Sequence, residues 1–228
     1  MKHIIFVVVV AMLTTCSLSA QSKLAQNLKK GKAQTLVVYG TSISSMAPNG
    51  VLWVEEVGNQ LNRMFDDKLT VYNSGRSGQN SKWALANLSD SVLSRRPDAV
   101  IIEFATNDAV QRFGISIEQC RANTEKLILQ IKEAFPECEV FLHTPCGYPL
   151  GKNAESRPTM QAYNKIYEEL ATLFNLIWID ESLELKRIAE EQGVPALKKY
   201  AGDGVHPTRK AALELIAPNV VSAIVKGK

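Results

Sequence analysis

Cysteine is scarce in this sequence, with four among 228 residues and none in CxxC spacing. That excludes a disulfide-built scaffold and a structural zinc site. An excess of one charge is also missing: 26 Lys+Arg stand against 23 Asp+Glu, a formal net charge of +3. No basic stripe that could track a phosphate backbone runs along the chain, so no nucleic-acid partner is expected. There is no internal repeat, no low-complexity tract and no linker that would divide the chain. No GxGxxG, GxxxxGK[ST] or GxSxG occurs, which removes the usual dinucleotide and P-loop readings and the nucleophile elbow of α/β-hydrolases. What is present is a hydrophobic fraction of 46% against 21% charged residues, enough for a packed core at this length.

The first twenty residues read as an address. Met1-Lys2-His3 is a short positive start, Ile4 to Leu13 is unbroken apolar sequence, and Thr14 to Ala20 is small and mostly polar. This order is that of a secretory signal peptide over 1–20, cleaved after Ala20, and the apolar run is too short for a comfortable membrane span. The protein is therefore expected to be exported, periplasmic or secreted, with no transmembrane segment once the leader is removed. Lipid attachment at Cys16, after Leu13-Thr14-Thr15, is the alternative. Residues 21–34 are lysine-rich with little apolar periodicity and read as a mobile basic lead-in; 35–228 reads as one domain. Of the three remaining cysteines, Cys120 fits the apolar face of a helix, and a Cys120–Cys138 bridge is left open.

From residue 36 onward, short apolar runs alternate with stretches of helical spacing. Leu36–Tyr39, Leu69–Tyr72, Ala99–Phe104, Val140–Leu142 and Leu176–Ile179 read as buried strands. Between and after them, 53–65, 82–95, 116–135, 159–174, 182–192 and 208–225 read as helices, the last bent at Pro218. Strict alternation of this kind implies an α/β fold, a parallel sheet with helices on both faces. In such sheets chemistry gathers beyond the carboxyl ends of the strands.

Four polar segments lie at such ends: Gly40-Thr41-Ser42-Ile43-Ser44, Asn73-Ser74-Gly75-Arg76-Ser77-Gly78, Ala105-Thr106-Asn107-Asp108 and Asp203-Gly204-Val205-His206-Pro207. A serine nucleophile needs a base, and imidazole is the side chain suited to neutral pH. Beyond the leader the histidines are His143 and His206. Asp203 precedes His206 by three residues, within reach to orient its ring. An oxyanion needs donors, and the backbone N–H groups of Ser42 and Gly78 and the amide of Asn107 are candidates. His143 ends a strand with no carboxylate near it in sequence and reads as a packing residue. Two unlinked histidines do not make a metal site, so neither metal nor cofactor is expected.

Together the four segments resemble the signature blocks of the SGNH (GDSL-type) hydrolases: Ser in the first, Gly in the second, Asn in the third, Asp-x-x-His in the last. The resemblance spans about residues 36 to 215. It implies a flavodoxin-like three-layer αβα sandwich with a five-stranded parallel sheet. It assigns Ser42 as nucleophile, His206 as base and then acid, and Asp203 as the orienting carboxylate. Ser42, Gly78 and Asn107 become the oxyanion donors, Gly78 being preferred over Gly75 because it lies five residues after Asn73. Two positions depart from the family: Thr41 stands where Asp is usual, and Ala105 where Gly is usual.

The family hydrolyses acyl esters and thioesters. Export together with this resemblance points to removal of O-acetyl groups from polysaccharides or oligosaccharides. A lipase-, lysophospholipase- or thioesterase-like acylhydrolase is the alternative, and a non-catalytic carbohydrate-binding surface protein or an acyltransferase the readings of another class. Arg76, Trp83 and Tyr148 are the candidate substrate-binding residues, for an acidic sugar or for aromatic stacking.

Overall fold

The computed structural model describes residues 21–45 and 52–227. The leader and Cys16 lie outside the described residues. The chain runs α1 (Lys23–Lys29), β1 (Gln34–Gly40), α2 (Ser42–Ser45), α3 (Trp53–Met64), β2 (Leu69–Asn73), α4 (Ser81–Ser91), β3 (Ala99–Glu103), α5 (Ala105–Asp108), α6 (Ile117–Ala134) and β4 (Glu139–Thr144). It continues through α7 (Lys152–Glu155), α8 (Met160–Leu173), β5 (Ile177–Asp180), α9 (Ser182–Arg187), α10 (Val194–Leu197), α11 (Arg209–Ala211) and α12 (Ala217–Lys226). The five strands form one sheet in the order β2-β1-β3-β4-β5, every neighbour parallel. This is the flavodoxin-like order, whose direction of winding reverses between β1 and β3.

Alternation along the strands splits the core in two. Val37, Tyr39, Val100, Ile102, Val140 and Leu142 face α4, α6 and α8, which contribute Leu88, Leu127, Ile131 and Tyr167. Leu36, Val38, Ile101 and Phe141 face α1, α3 and α12, which contribute Leu24, Val57, Leu61 and Ile224. β1, β3 and β4 are buried on both faces, which is why they read as continuous apolar runs.

One expectation needs correction. Residues 21–34 are not a mobile lead-in. Ser22 caps α1 by accepting from the Ala25 N–H at 3.0 Å, and Leu24, Ala25 and Leu28 are buried. The helix is only seven residues long, so its apolar face is one short stripe that periodicity alone does not reveal. The Cys120–Cys138 pairing, which the sequence leaves open, is not formed: Cys120, Cys138 and Cys146 are all free and buried. A π-helical turn, Ala212–Ile216, stands just before α12, which carries Pro218 in its first turn. A wider turn there relieves the carbonyl that the proline ring would crowd and that its missing N–H cannot satisfy. Among the described residues, no helix is long and apolar enough to cross a membrane.

Candidate active site

Ser42 opens α2 immediately beyond the end of β1, and Asn107 lies in α5 beyond β3. Both therefore sit at the reversal point of the sheet. Ser42 is almost fully buried, and its Oγ lies 2.9 Å from His206 Nε2. His206 Nδ1 lies 2.7 Å from Asp203 Oδ2. An ionised carboxylate only accepts, so the ring proton is on Nδ1, and Nε2 offers its lone pair to the serine hydroxyl. The other Asp203 oxygen accepts from the backbone N–H groups of Val205 and His206, at 2.9 and 2.8 Å. Burial opposes ionisation of Asp203, but these three hydrogen bonds hold its carboxyl well below the usual carboxylate range. The Ser42–His206–Asp203 chain can take a proton from the hydroxyl and stabilise the imidazolium that results.

Local sequence explains how this turn is held. Gly204 has φ +78°, and a Cβ there would meet Tyr148 O at 2.3 Å and Leu150 N at 2.5 Å. Only glycine suits that conformation and that close approach. The Asp203 carbonyl accepts from Leu150 N–H at 3.1 Å and from Asn153 Nδ2 at 3.3 Å. Segment 148–153 thus clamps the Asp203 turn from outside.

The Ser42 loop rests on a residue that the sequence reading did not single out. Glu103, fully buried at the end of β3, accepts from the Thr41 N–H and from the Thr41 hydroxyl, both at 2.9 Å. Its Oε2 also accepts from Ser44 Oγ at 3.1 Å. Burial pushes the Glu103 carboxyl up, against the opposing pull of the Thr41 N–H, His143 and the two hydroxyls. A Cβ at Gly40 would lie 2.6 Å from Glu103 Oε2, so a glycine there makes room for the carboxylate. Thr41, the departure from the family's usual Asp, is a donor facing an acidic partner. The available signal was a lone charge at the end of an apolar strand.

His143 is fully buried, with its Nε2 2.6 Å from Glu181 Oε2. Glu181 Oε1 accepts from Asn219 Nδ2 at 2.8 Å, and Trp53 packs edge-on against the imidazole, ring centroids 5.0 Å apart. Burial opposes protonation of His143, but Glu181 alongside and Glu103 and Asp180 beyond it raise its pKa. No carboxylate is near it in sequence because the partner arrives from 38 residues away.

Asn107 Nδ2 donates to Gln79 O at 2.8 Å, and Arg157 Nη2 donates to Asn107 Oδ1 at 3.5 Å. Gln79 follows Gly78, so the amide is tied to the loop that carries Gly78. That loop is in turn held on the Ser42 loop: Arg76 N–H donates to Gly40 O at 2.9 Å, and Ser77 Oγ lies 3.0 Å from Ser45 Oγ. Gly78 has φ +74° with open space around it. Of the residues offered for substrate binding, Arg76 is exposed on this loop. Trp83 packs against Tyr39, centroids 5.9 Å apart, and against the α4–α6–α8 core. Tyr148 lines a cavity of about 290 Å³ with Pro149, Arg157, Met160, Gln161 and Lys186. Arg157, which sequence reasoning missed, touches both this cavity and Asn107. Among the described residues, no cluster of three or more His, Cys, Asp or Glu could hold a metal ion.

The family model of the GDSL-like lipase/acylhydrolases matches residues 38–212, a span that contains all four polar segments. The thioesterase 1/protease 1/lysophospholipase L1 of Escherichia coli is 24% identical over 182 residues, 78% of each chain. Among solved structures, a GDSL-like lipase of Parabacteroides merdae superposes with a TM-score of 0.74 at 20% identity, over 85% of this chain and 96% of that one. An acetylxylan esterase of Geobacillus stearothermophilus superposes with a TM-score of 0.71 at 21% identity, over 86% and 96%. The chain belongs to the GDSL-like lipase/acylhydrolase family and is a carboxylic ester hydrolase.

Proposed function

We propose that this is an exported serine esterase that removes O-acetyl groups from polysaccharides or oligosaccharides through a Ser42–His206–Asp203 triad. The observation that carries the catalytic part is the unbroken chain from Ser42 Oγ to His206 Nε2 at 2.9 Å and from His206 Nδ1 to Asp203 at 2.7 Å. In this reading His206 takes the Ser42 proton as Oγ attacks the ester carbonyl. The tetrahedral oxyanion is met by the N–H groups of Ser42 and Gly78 and by the Asn107 amide. Collapse expels the alcohol, protonated by His206, and leaves an acetyl-serine. Water, deprotonated by the same imidazole, then releases acetate and restores Ser42.

The sugar substrate is supported by the acetylxylan esterase among the structural neighbours. Export is supported by the n-, h- and c-region order of residues 1–20. The E. coli thioesterase/lysophospholipase relative is the reason to keep the acylhydrolase reading as the second.

The test is hydrolysis of p-nitrophenyl esters from acetyl to dodecanoyl by the mature protein and by Ser42→Ala. Activity confined to acetyl and propionyl esters and abolished in Ser42→Ala supports the proposal; acetylated xylan and other acetylated glycans are then assayed. A maximum at long chains selects the acylhydrolase reading instead. No hydrolysis, with Ser42 inert to a fluorophosphonate probe, selects a binding protein. Acetyl transfer to added sugar outrunning hydrolysis selects an acyltransferase.

A further inference from the structure

An asparagine amide can serve an oxyanion only if its NH2 end, not its carbonyl, faces the reacting centre. The two ends are nearly the same shape, so neighbouring donors and acceptors must impose the orientation. At Asn107 the Gln79 carbonyl, which only accepts, takes one Nδ2 hydrogen at 2.8 Å. The Arg157 guanidinium, which only donates, sits against Oδ1 at 3.5 Å. Turning the amide over would set carbonyl against carbonyl and NH2 against guanidinium.

Arg157 is itself anchored on three sides. Its Nε donates to Thr106 O at 3.0 Å, and its Nη1 donates to Asn153 Oδ1 and Ser156 Oγ, both at 3.1 Å. Asn153 donates its own Nδ2 to the Asp203 carbonyl at 3.3 Å. One bracket, Asn153–Arg157, therefore spans from the backbone of Asp203 to the amide of Asn107. Among the described residues no carboxylate forms an ion pair with Arg157. Its positive charge acts on the Asp203 carboxylate at longer range and on the neutral groups it touches, the Asn107 dipole among them.

We propose that Arg157 is a positioning residue for the oxyanion hole: it locks the Asn107 amide with Nδ2 toward the developing oxyanion, and its charge polarises that amide as a donor. The inference rests on reading Asn107 as an oxyanion donor. A role of this kind acts in the transition state, so it lowers kcat and leaves KM for a small ester nearly unchanged.

The experiment is a double-mutant cycle on p-nitrophenyl acetate with Asn107→Ala, Arg157→Met and the pair, and with Arg157→Lys as the conservative variant that keeps the cation if Arg157→Met does not fold. We expect Arg157→Met to lower kcat about tenfold to a hundredfold with KM within about twofold, and Arg157→Lys to recover part of the loss. In the Asn107→Ala background the same substitution costs less than about threefold, because the group it orients is gone. Arg157 losses that are equal in both backgrounds, or kcat unchanged in both Arg157 variants while Asn107→Ala is impaired, overturn the inference alone. Full activity in Asn107→Ala overturns the oxyanion reading and the inference with it.

Discussion

Glu103 accepts both the backbone N–H and the hydroxyl of Thr41, each at 2.9 Å, from a strand position 62 residues further along the chain. The contact joins β3 to the residue just before Ser42, so the Ser42 loop is held by a buried carboxyl group from another strand. Three donors converge on Oε2, the third being Ser44 Oγ. Glu103→Gln can place its amide carbonyl where Oε2 stands and is expected to cost about 1 kcal/mol or less. Glu103→Ala leaves these donors buried without an acceptor, and its expected cost is about 3 kcal/mol with a large loss of kcat. Urea denaturation of both variants decides the matter; equal effects would mean that the donors find other acceptors.

Asp108 predicts a pH dependence of stability. It is buried in α5 with Oδ1 accepting from Ser81 N–H at 2.8 Å, while Oδ2 has no partner. Burial raises its pKa from 3.8 to about 6 against the pull of Ser81. The folded form thus binds the proton more tightly than the unfolded chain, and folding stability falls as pH rises from about 4 to about 6. Asp108→Asn keeps an acceptor for Ser81 and carries no charge. Its melting temperature relative to the wild type is expected to climb across that window and level off above it. A flat difference from pH 4 to 7 would show that Asp108 titrates normally.

Two glycines with nearly equal φ separate strain from collision. Gly78 at φ +74° has nothing within 4 Å of a built Cβ, whereas Gly204 at φ +78° would drive one into Tyr148 O at 2.3 Å. Gly78→Ala is expected to cost about 1–2 kcal/mol, the left-handed penalty alone. Gly204→Ala must also displace segment 148–150, so it should cost more and lower kcat through Asp203 and His206. Urea denaturation of the two variants tests the contrast; comparable losses of stability would contradict it.

Leu24 tests whether α1 belongs to the core. It is 1% exposed, and its N–H donates to Glu139 Oε2 at 2.9 Å. Leu24→Ala is expected to destabilise by about 3 kcal/mol. A loss under about 0.5 kcal/mol would return residues 21–34 to the status of a lead-in.

Much of the architecture is legible in order along the chain. Val37, Ile101 and Phe141 lie in runs too short for helices and too apolar for exposed strands, so a sheet covered on both faces follows from them alone. The Asp203-x-x-His206 spacing is likewise local: three residues close one turn and put the carboxylate 2.7 Å from the ring, although segment 148–153 holds that turn in place. α1 was not legible, because Leu24, Ala25 and Leu28 make less than two turns of pattern.

Local periodicity and turn chemistry act over a few residues, so they set which segments are strands, which are helices and which polar groups stand at strand ends. Contacts between segments are another matter. Ser42 and His206 meet across 164 residues, His143 and Glu181 across 38, and Arg157 and Asn107 across 50. No spacing rule encodes such pairs, because they form only when the sheet brings the ends of separate strands and their loops to one edge: the β1/β3 reversal places Ser42 and Asn107 there, and β4–β5 pairing sets His143 beside Glu181. Burial then decides which carboxyl groups are tolerated there: Glu103 and Glu181 are held because hydrogen-bonding partners from other elements close around them.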